Sequence, residues 1–192
     1  MPGHYLSVCK DCLKAHSGNG KLLPKQESRV ETENLAIQRL KQQGIWAQTG
    51  KSSNAPDVDV TAMGLVWIEV KKARLELHRT TDTFKFNTTP KQIKRGFLAD
   101  IVMLICEWKT GRLTYHLFRF DDPIFYTDGH VKTAFTYVPT RKNRTMQAGK
   151  RTSITSATMS AAQDNWGLID TVYRELSARL PTEPFPHRRW RE

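Results

Sequence analysis

The chain has 192 residues, 39% of them hydrophobic, which is enough to bury one sizeable core with a small appendage. It has no apolar run near the roughly 18 to 20 residues of a membrane span, and its first residues lack the apolar segment of a secretory signal, so we expect a cytoplasmic protein without a membrane partner. Lys and Arg number 30 against 19 Asp and Glu, and the resulting net charge of +11 favours a nucleic-acid partner.

The N-terminal residues 1–27 are predicted to form a flexible arm, because small, polar and proline residues interrupt this stretch. Three cysteines occur in the chain, and an odd number argues against a disulfide framework. Cys9 and Cys12 have the C-x2-C spacing that suits tetrahedral zinc, and His4 and His16 flank them, which makes the four a candidate zinc site. An arm without zinc is the alternative, because no second ligand pair with such spacing follows.

The first predicted helix begins at Ser28, which forms a capping box with Glu31, and ends near Gly44. A carboxylate on the buried face of a helix is costly unless it has a task or a partner. Glu33 lies on that face and is therefore a candidate functional residue; the alternative is a simple ion pair with a lysine at the helix edge. The predicted buried stripe, at spacings of three and four residues, consists of Val30, Glu33, Ile37 and Leu40.

The stretch from Pro56 to Lys71 predicts two β-strands joined by a tight turn. Because side chains alternate along a strand, Glu69 and Lys71 share one face, and the turn would bring Asp57 alongside them. Two carboxylates suit Mg²⁺, which polarises phosphoryl oxygens and lowers the pKa of bound water. Lys71 would then orient the water or balance charge on a phosphate. The alternative is an ordinary solvated strand face.

Pro56-Asp57 followed by Glu69-x-Lys71 has the form PD…(D/E)xK, and the stretch resembles the PD-(D/E)xK nuclease superfamily. The resemblance implies that Asp57 and Glu69 hold Mg²⁺, for which Mn²⁺ can substitute, and that Lys71 assists the attacking water. Asp59 lies on the same predicted strand face as Asp57 and is a second candidate, able to share the metal or to raise the pKa of its neighbour. The aspartate that directly follows Pro56 is favoured.

A closer resemblance is to the Holliday-junction-resolvase branch of that superfamily. In this branch a Glu near the start of the first helix faces the metal site, which implies that Glu33 is a further ligand or holds metal-bound water. Pro90 opens a second predicted helix, with Thr89 as its cap. A Gln early in the corresponding helix of the branch lies near the active site, and Gln92 matches it. The resemblance covers roughly residues 28–120.

The remaining elements are predicted from local patterns. Residues 82–89 are expected to be irregular or a short strand. The continuous apolar run over residues 101–106 predicts a strand buried on both faces, and residues 113–120 a strand that returns after a turn. An aromatic hairpin is expected over residues 125–138, with Gly129 at its turn.

The predicted fold is α/β, with the αβββαβ core of restriction-endonuclease-like proteins: a mixed central sheet flanked by helices, to which a C-terminal hairpin and helix are added. The nuclease core is expected to span residues 28–138. A basic loop is predicted over residues 139–159 and a helix with a basic tail over residues 160–192, the helix packing on the core through an apolar stripe.

Basic residues near the motif and in the predicted loop are candidates for contacts to the DNA backbone, because such contacts need cations but no particular sequence. The alternatives are a plain connector for the small polar loop that contains Lys51 and a plain surface linker for the basic loop over residues 139–159. The candidates are Lys51, Lys72, Arg74, Arg141, Lys142, Arg144, Lys150 and Arg151.

The predicted function is that of a Mg²⁺-dependent DNA endonuclease acting on branched DNA, as a homodimer, because two strands must be cut symmetrically. A restriction-type or phage nuclease acting on duplex or single-stranded DNA is one alternative. The other is a non-catalytic nucleic-acid-binding module of the same fold. The set Glu33, Asp57, Glu69 and Lys71 favours the enzyme, because DNA binding through Lys and Arg needs none of these residues.

Overall fold

The computed structural model describes residues 24–50, 58–78, 81–139 and 153–180. None of the helices in these ranges is long and apolar enough to cross a membrane. Several candidate residues lie outside the described ranges, so their roles stay predictions: Cys9, Cys12, His4, His16, Lys51, Asp57, Arg141, Lys142, Arg144, Lys150 and Arg151.

A five-stranded mixed sheet forms the centre of the fold. One pair of neighbouring strands in it is parallel and the other pairs are antiparallel, the parallel pair being β3 (Val66–Arg74) and β6 (Ile101–Glu107). In hydrogen-bonded order the strands are β1 (Ala47–Thr49), β2 (Val60–Ala62), β3 (Val66–Arg74), β6 (Ile101–Glu107) and β7 (Leu113–Arg119).

A parallel pair requires a crossover connection, and here the chain between β3 and β6 contains three short elements. They are β4 (Glu76–His78), β5 (Thr81–Asn87) and helix α2 (Pro90–Arg95). Helix α1 (Pro24–Gln42) precedes β1 in the sequence. The predicted α/β fold, with a mixed central sheet flanked by helices, is therefore confirmed.

Helix α1 begins at Pro24, so Ser28 lies inside the helix and the predicted capping box is wrong. The predicted end is confirmed. Gly44 has a φ of +75°, a conformation that glycine adopts without the strain a Cβ would cause, and its amide donates to the carbonyl of Lys41 at 3.0 Å.

The buried stripe of α1 differs from the predicted one at its start. Glu33 and Leu40 are buried as predicted, but Val30 is 44% exposed. Ala36 is completely buried instead, because it faces the central sheet between the other two. The helix therefore packs against the central sheet mainly through its second half.

The central sheet is covered on both faces. Helices α1 and α4 (Gly167–Arg179) pack on one face, and a second, four-stranded sheet packs on the other. The alternating residues of β6 enter both cores, which confirms the predicted doubly buried strand. The second sheet contains β11 (Ser153–Ile154), β10 (Ala134–Tyr137), β5 and β4, in this order, and helix α3 (Ser156–Ala162) lies against it.

This second sheet corrects two predictions. Strand β5 is seven residues long and regular, where an irregular segment or short strand was predicted. The hairpin predicted over residues 125–138 is reduced to β8 (Tyr126–Thr127) and β9 (His130–Val131) around the predicted turn at Gly129, because β10 pairs with β5.

The prediction of a single C-terminal helix is also wrong, since the chain forms two helices there, α3 and α4. Asp164 separates them with a φ of +50°, a left-handed conformation that interrupts a helix. Helix α3 begins at Ser156, within the range that the sequence predicts as basic loop.

We predict that the second sheet depends on Phe125, which is completely buried and contacts Phe97, Phe118 and Phe135 at ring-centroid distances of 5.5, 5.7 and 5.1 Å. Phe125→Ala should lower the free energy of unfolding by about 3–5 kcal/mol, measured by urea denaturation. Leu77→Ala, at a side chain that is 66% exposed, is the control and should change it by less than about 0.5 kcal/mol. Equal stability of the two variants would contradict this packing.

Candidate active site

The β2–β3 hairpin brings two carboxylates together. Val60 pairs with Ile68 in the antiparallel register, and one further step of that register places Asp59 opposite Glu69. Asp59 Oδ2 accepts a hydrogen bond from the amide of Val70 at 2.9 Å, which fixes this position. Facing residues of adjacent strands have Cβ atoms about 4.5–5.5 Å apart, so the two acidic side chains are neighbours.

Lys71 completes this group from the same face of β3. Its ammonium Nζ lies 3.2 Å from Glu69 Oε1 and donates to Gln92 Oε1 at 3.0 Å. The side-chain nitrogen Nε2 of Gln92 donates a hydrogen bond to Glu69 Oε1. Glu69, Lys71 and Gln92 therefore form a closed triangle of polar contacts, with Lys71 only 8% exposed.

Gln92 is held in place by the start of α2. Thr89 caps the helix as predicted, and its backbone amide donates to Gln92 Oε1 at 2.9 Å. In return the amide of Gln92 donates to the hydroxyl of Thr89 at 3.3 Å. This capping box aims the Gln92 side chain at β3, which explains how a residue on a six-residue helix reaches the site.

Arg29 connects helix α1 to the same group. Its Nε donates to Glu33 Oε1 at 2.7 Å, and its Nη2 donates to Asp59 Oδ1 at 3.1 Å. Glu33 thus forms an ion pair with an arginine of its own helix, where the alternative interpretation predicted a lysine. Sequence reasoning missed Arg29, although its four-residue spacing from Glu33 is the spacing of a helical ion pair.

The two neighbouring carboxylates are electrostatically unfavourable on their own. Burial raises the pKa of Glu69, the negative charge of Asp59 raises it further, and Lys71 and Gln92 only partly oppose both effects. A bound divalent cation would relieve this repulsion.

The donor set fits Mg²⁺, which is commonly held by one or two carboxylates with water completing its shell. Asp59 and Glu69 would supply those carboxylates. Within the described ranges no group of three or more His, Cys, Asp or Glu side chains lies close enough together to hold a metal ion, so any site there rests on two acidic residues.

These residues line a cleft of about 920 Å³ whose walls also carry basic side chains. Two of the predicted DNA contacts, Lys72 and Arg74, lie in the cleft but are engaged in ion pairs. Lys72 Nζ lies 3.1 Å from Glu31 and 3.0 Å from Glu107, and Arg74 lies 3.0 Å from Glu107. Their charges are therefore largely compensated within the protein.

His116 lies on β7 and does not line the cleft. Its Nδ1 lies 2.8 Å from the carbonyl of Met159, and its Nε2 lies 3.1 Å from the hydroxyl of Thr114. Burial lowers its pKa. Both ring nitrogens thus have structural partners, and we assign His116 to the packing between β7 and α3.

We predict that Glu69 makes stability depend on pH in metal-free protein. Because its pKa is higher in the folded than in the unfolded state, its ionisation disfavours folding as pH rises from the unfolded value of about 4.3 through the folded value. Glu69→Gln cannot ionise, so its stability relative to the wild type should increase over this range. Urea denaturation in EDTA at stepped pH measures the difference.

The control for this experiment is Glu76→Gln, which removes an exposed carboxylate on β4 outside the cleft. Its stability relative to the wild type should change little between the same pH values. A difference between Glu69→Gln and wild type that stays constant or shrinks as pH rises would contradict the placement of Glu69 beside Asp59.

Comparison with known proteins identifies a relative in fold. No model of a protein family matches the chain, and no curated protein is similar to it in sequence. Among solved structures, the chain is similar to a bacterial homing endonuclease, I-Ssp6803I, with a TM-score of 0.50 and 13% sequence identity over 84% of this chain and 99% of the other. At this identity, what the two chains share is the fold.

Proposed function

We propose that the chain is a metal-dependent DNA endonuclease in which Asp59 and Glu69 hold Mg²⁺ and Lys71 assists hydrolysis of a phosphodiester bond. The observation that carries this proposal is the pair of facing carboxylates with a buried ammonium group bonded to one of them, at the base of an open cleft. The fold it shares with a protein described as a homing endonuclease supports the proposal.

Lys71 is suited to a role in the transition state. An ammonium group has three donors, and Glu69 and Gln92 engage two of them, which leaves one for a substrate group. The Nζ atom also lies 5.9 Å from the centroid of the Phe97 ring, within the range of a cation–π interaction. Lys71 can therefore donate to the attacking water, or to a phosphate oxygen as charge develops there, with little reorganisation. A cation bound by the carboxylates would polarise the phosphoryl group and lower the pKa of the attacking water.

Two further residues, Gln92 and Glu33, position the groups of the site. Gln92 holds Lys71 and Glu69 in one arrangement, and Glu33 orients Arg29 against Asp59. We propose Asp59 as the principal metal ligand, because the strand register places it opposite Glu69. Asp57, the aspartate of the motif itself, is proposed as an additional ligand.

We further propose that the substrate is branched DNA and that the protein acts as a homodimer. The two positions that carry the resemblance to junction resolvases, Glu33 and Gln92, both line the cleft beside the carboxylates. A duplex or single-stranded substrate is the competing choice, and symmetric cutting of two strands is the physical reason for a dimer.

A second candidate function is a nucleic-acid-binding module without catalytic activity. The guanidinium of Arg29 favours it, because it bridges Glu33 and Asp59 and so compensates part of the negative charge without any metal. In a nuclease this bridge has to yield to a metal at Asp59, whereas in a binding module it would persist.

Labelled four-way junction, duplex and single-stranded DNA, incubated with Mg²⁺ or with EDTA, test the proposal. We expect cutting only with Mg²⁺ and fastest cutting of the junction. Lys71→Ala and Glu69→Ala should each lower the rate by about 100-fold or more, because each removes a group that acts on the transition state, while DNA binding persists.

Lys41→Ala and Glu76→Ala serve as matched controls, since these exposed side chains lie outside the cleft. Both should cut like the wild type. Binding of all three DNA forms without cutting under Mg²⁺ or Mn²⁺ would instead establish the binding module.

We predict that replacing Asp59 and replacing Asp57 change the Mg²⁺ requirement for cutting to different extents. Asp59→Asn should raise the Mg²⁺ concentration for half-maximal cutting by about tenfold or more, because it removes a carboxylate that faces Glu69. Asp57→Asn should raise it less. Titration of cutting rate against Mg²⁺ measures both, and the opposite ranking would show that Asp57 is the principal ligand.

A further inference from the structure

We propose that Lys85 of β5 and Arg95 of α2 hold the phosphates of the DNA strand that enters the cleft. This inference rests on the proposed function for the identity of the ligand, and it assigns DNA contacts to the second sheet and the short helix. The sequence-derived candidates Lys72 and Arg74 would then contribute mainly to the structure of the cleft.

The first observation is the distribution of charge in the cleft. Four of the basic side chains that line it each form an ion pair with a carboxylate: Arg29, Lys71, Lys72 and Arg74. Lys85 and Arg95 line the same cleft with exposed side chains. Within the described part of the chain neither forms an ion pair, so their charges are available to an external anion.

The second observation is how β5 orients its side chains. Phe84 and Phe86 point into the core between the sheets and are almost completely buried. Because side chains alternate along a strand, Lys85 must point to the opposite side, where it is exposed and borders the cleft together with Asn87. Antiparallel pairing with β10, Lys85 opposite Thr136, fixes this orientation.

The third observation is the continuity between β5 and the candidate active site. Thr88 and Thr89 link β5 directly to α2, whose Gln92 contacts Lys71 and Glu69. Arg95 is the last residue of α2 and lines the cleft from that helix. The two cations thus flank Gln92 along the chain, on elements that line the same cleft as the candidate active site.

This arrangement suits a polyanion that extends across the cleft. Lys and Arg neutralise phosphates and release counterions, and the planar guanidinium of Arg can bind one phosphate through two hydrogen bonds. Lys85 and Arg95 line the same cleft as Asp59, Glu69 and Lys71, so a backbone held at the two cations lies in the cleft that contains this group. Phosphate contacts of this kind position a strand without reading its bases.

The test is DNA binding by the full chain in EDTA at increasing salt, measured by fluorescence anisotropy with a short labelled duplex and its single strand. The double variant Lys85→Ala/Arg95→Ala should bind about tenfold more weakly near 0.15 M salt. The slope of log affinity against log salt concentration should become shallower by about 1.4 to 1.8, since each lost phosphate contact accounts for about 0.7 to 0.9.

The matched control is Lys41→Ala/Arg174→Ala, which removes the same charge from exposed helix positions outside the cleft. Its affinity should stay within about twofold of the wild type and its salt slope should not change. Circular dichroism melting verifies that both double variants fold. Equal losses in the two double variants would overturn the inference, because the effect would then be one of overall charge.

Cleavage by the same proteins separates this inference from the proposed function. If Lys85→Ala/Arg95→Ala alone loses binding but the wild type cuts no DNA, the phosphate contacts stand and the nuclease assignment fails. If the wild type cuts DNA while the salt slope of the double variant is unchanged, the nuclease assignment stands and the phosphate contacts are overturned.

Discussion

The carboxylates of Asp59 and Glu69 face each other across the β2–β3 hairpin, and burial together with this second negative charge raises the pKa of Glu69. Such a pair is unfavourable unless positive charge lies close to it. The surrounding residues supply that charge from two directions, Lys71 on the same strand and Arg29 on helix α1. Both cations line the cleft together with the two carboxylates.

The fold determines where the charges meet. Asp59 and Glu69 face each other only because β2 and β3 form a hairpin, and Gln92 reaches Glu69 only because the crossover to the parallel strand β6 includes α2. The same crossover contributes β5, which extends the cleft wall with a cation that has no ion-pair partner in the described ranges. One connection of the chain therefore supplies both a support of the candidate site and a surface suited to phosphate.

Local patterns predicted much of this arrangement because the interactions responsible are local. Strand alternation placed Glu69 and Lys71 on one face, Thr89 was predicted as the cap of α2 and Gly44 as the end of α1, whereas Gln92 was assigned to the site only by the resemblance to junction resolvases. The alternation and spacing rules needed no knowledge of the rest of the fold. The choice between Asp57 and Asp59, which share a strand face, depends in contrast on strand register, because a shift of two residues would place Asp57 opposite Glu69 instead of Asp59.

Long-range contacts explain what local patterns missed. Strand β5 is regular because it pairs with β10, far along the chain, and that pairing also shortened the predicted hairpin at Gly129. Arg29 was overlooked because its contact with Asp59 joins α1 to the residue before β2. Val30 is exposed because α1 packs through its second half, a property of helix placement that hydrophobic periodicity does not contain.

The central claim is that the facing carboxylates form a metal site, and the most direct measurement is anomalous X-ray diffraction at the manganese edge from crystals soaked in Mn²⁺. We expect an anomalous peak at coordination distance from Asp59 and Glu69, with the Arg29 guanidinium displaced from Asp59. An unchanged Arg29 bridge without manganese, or manganese bound only elsewhere, would contradict the claim and favour a module that binds nucleic acid without cutting it.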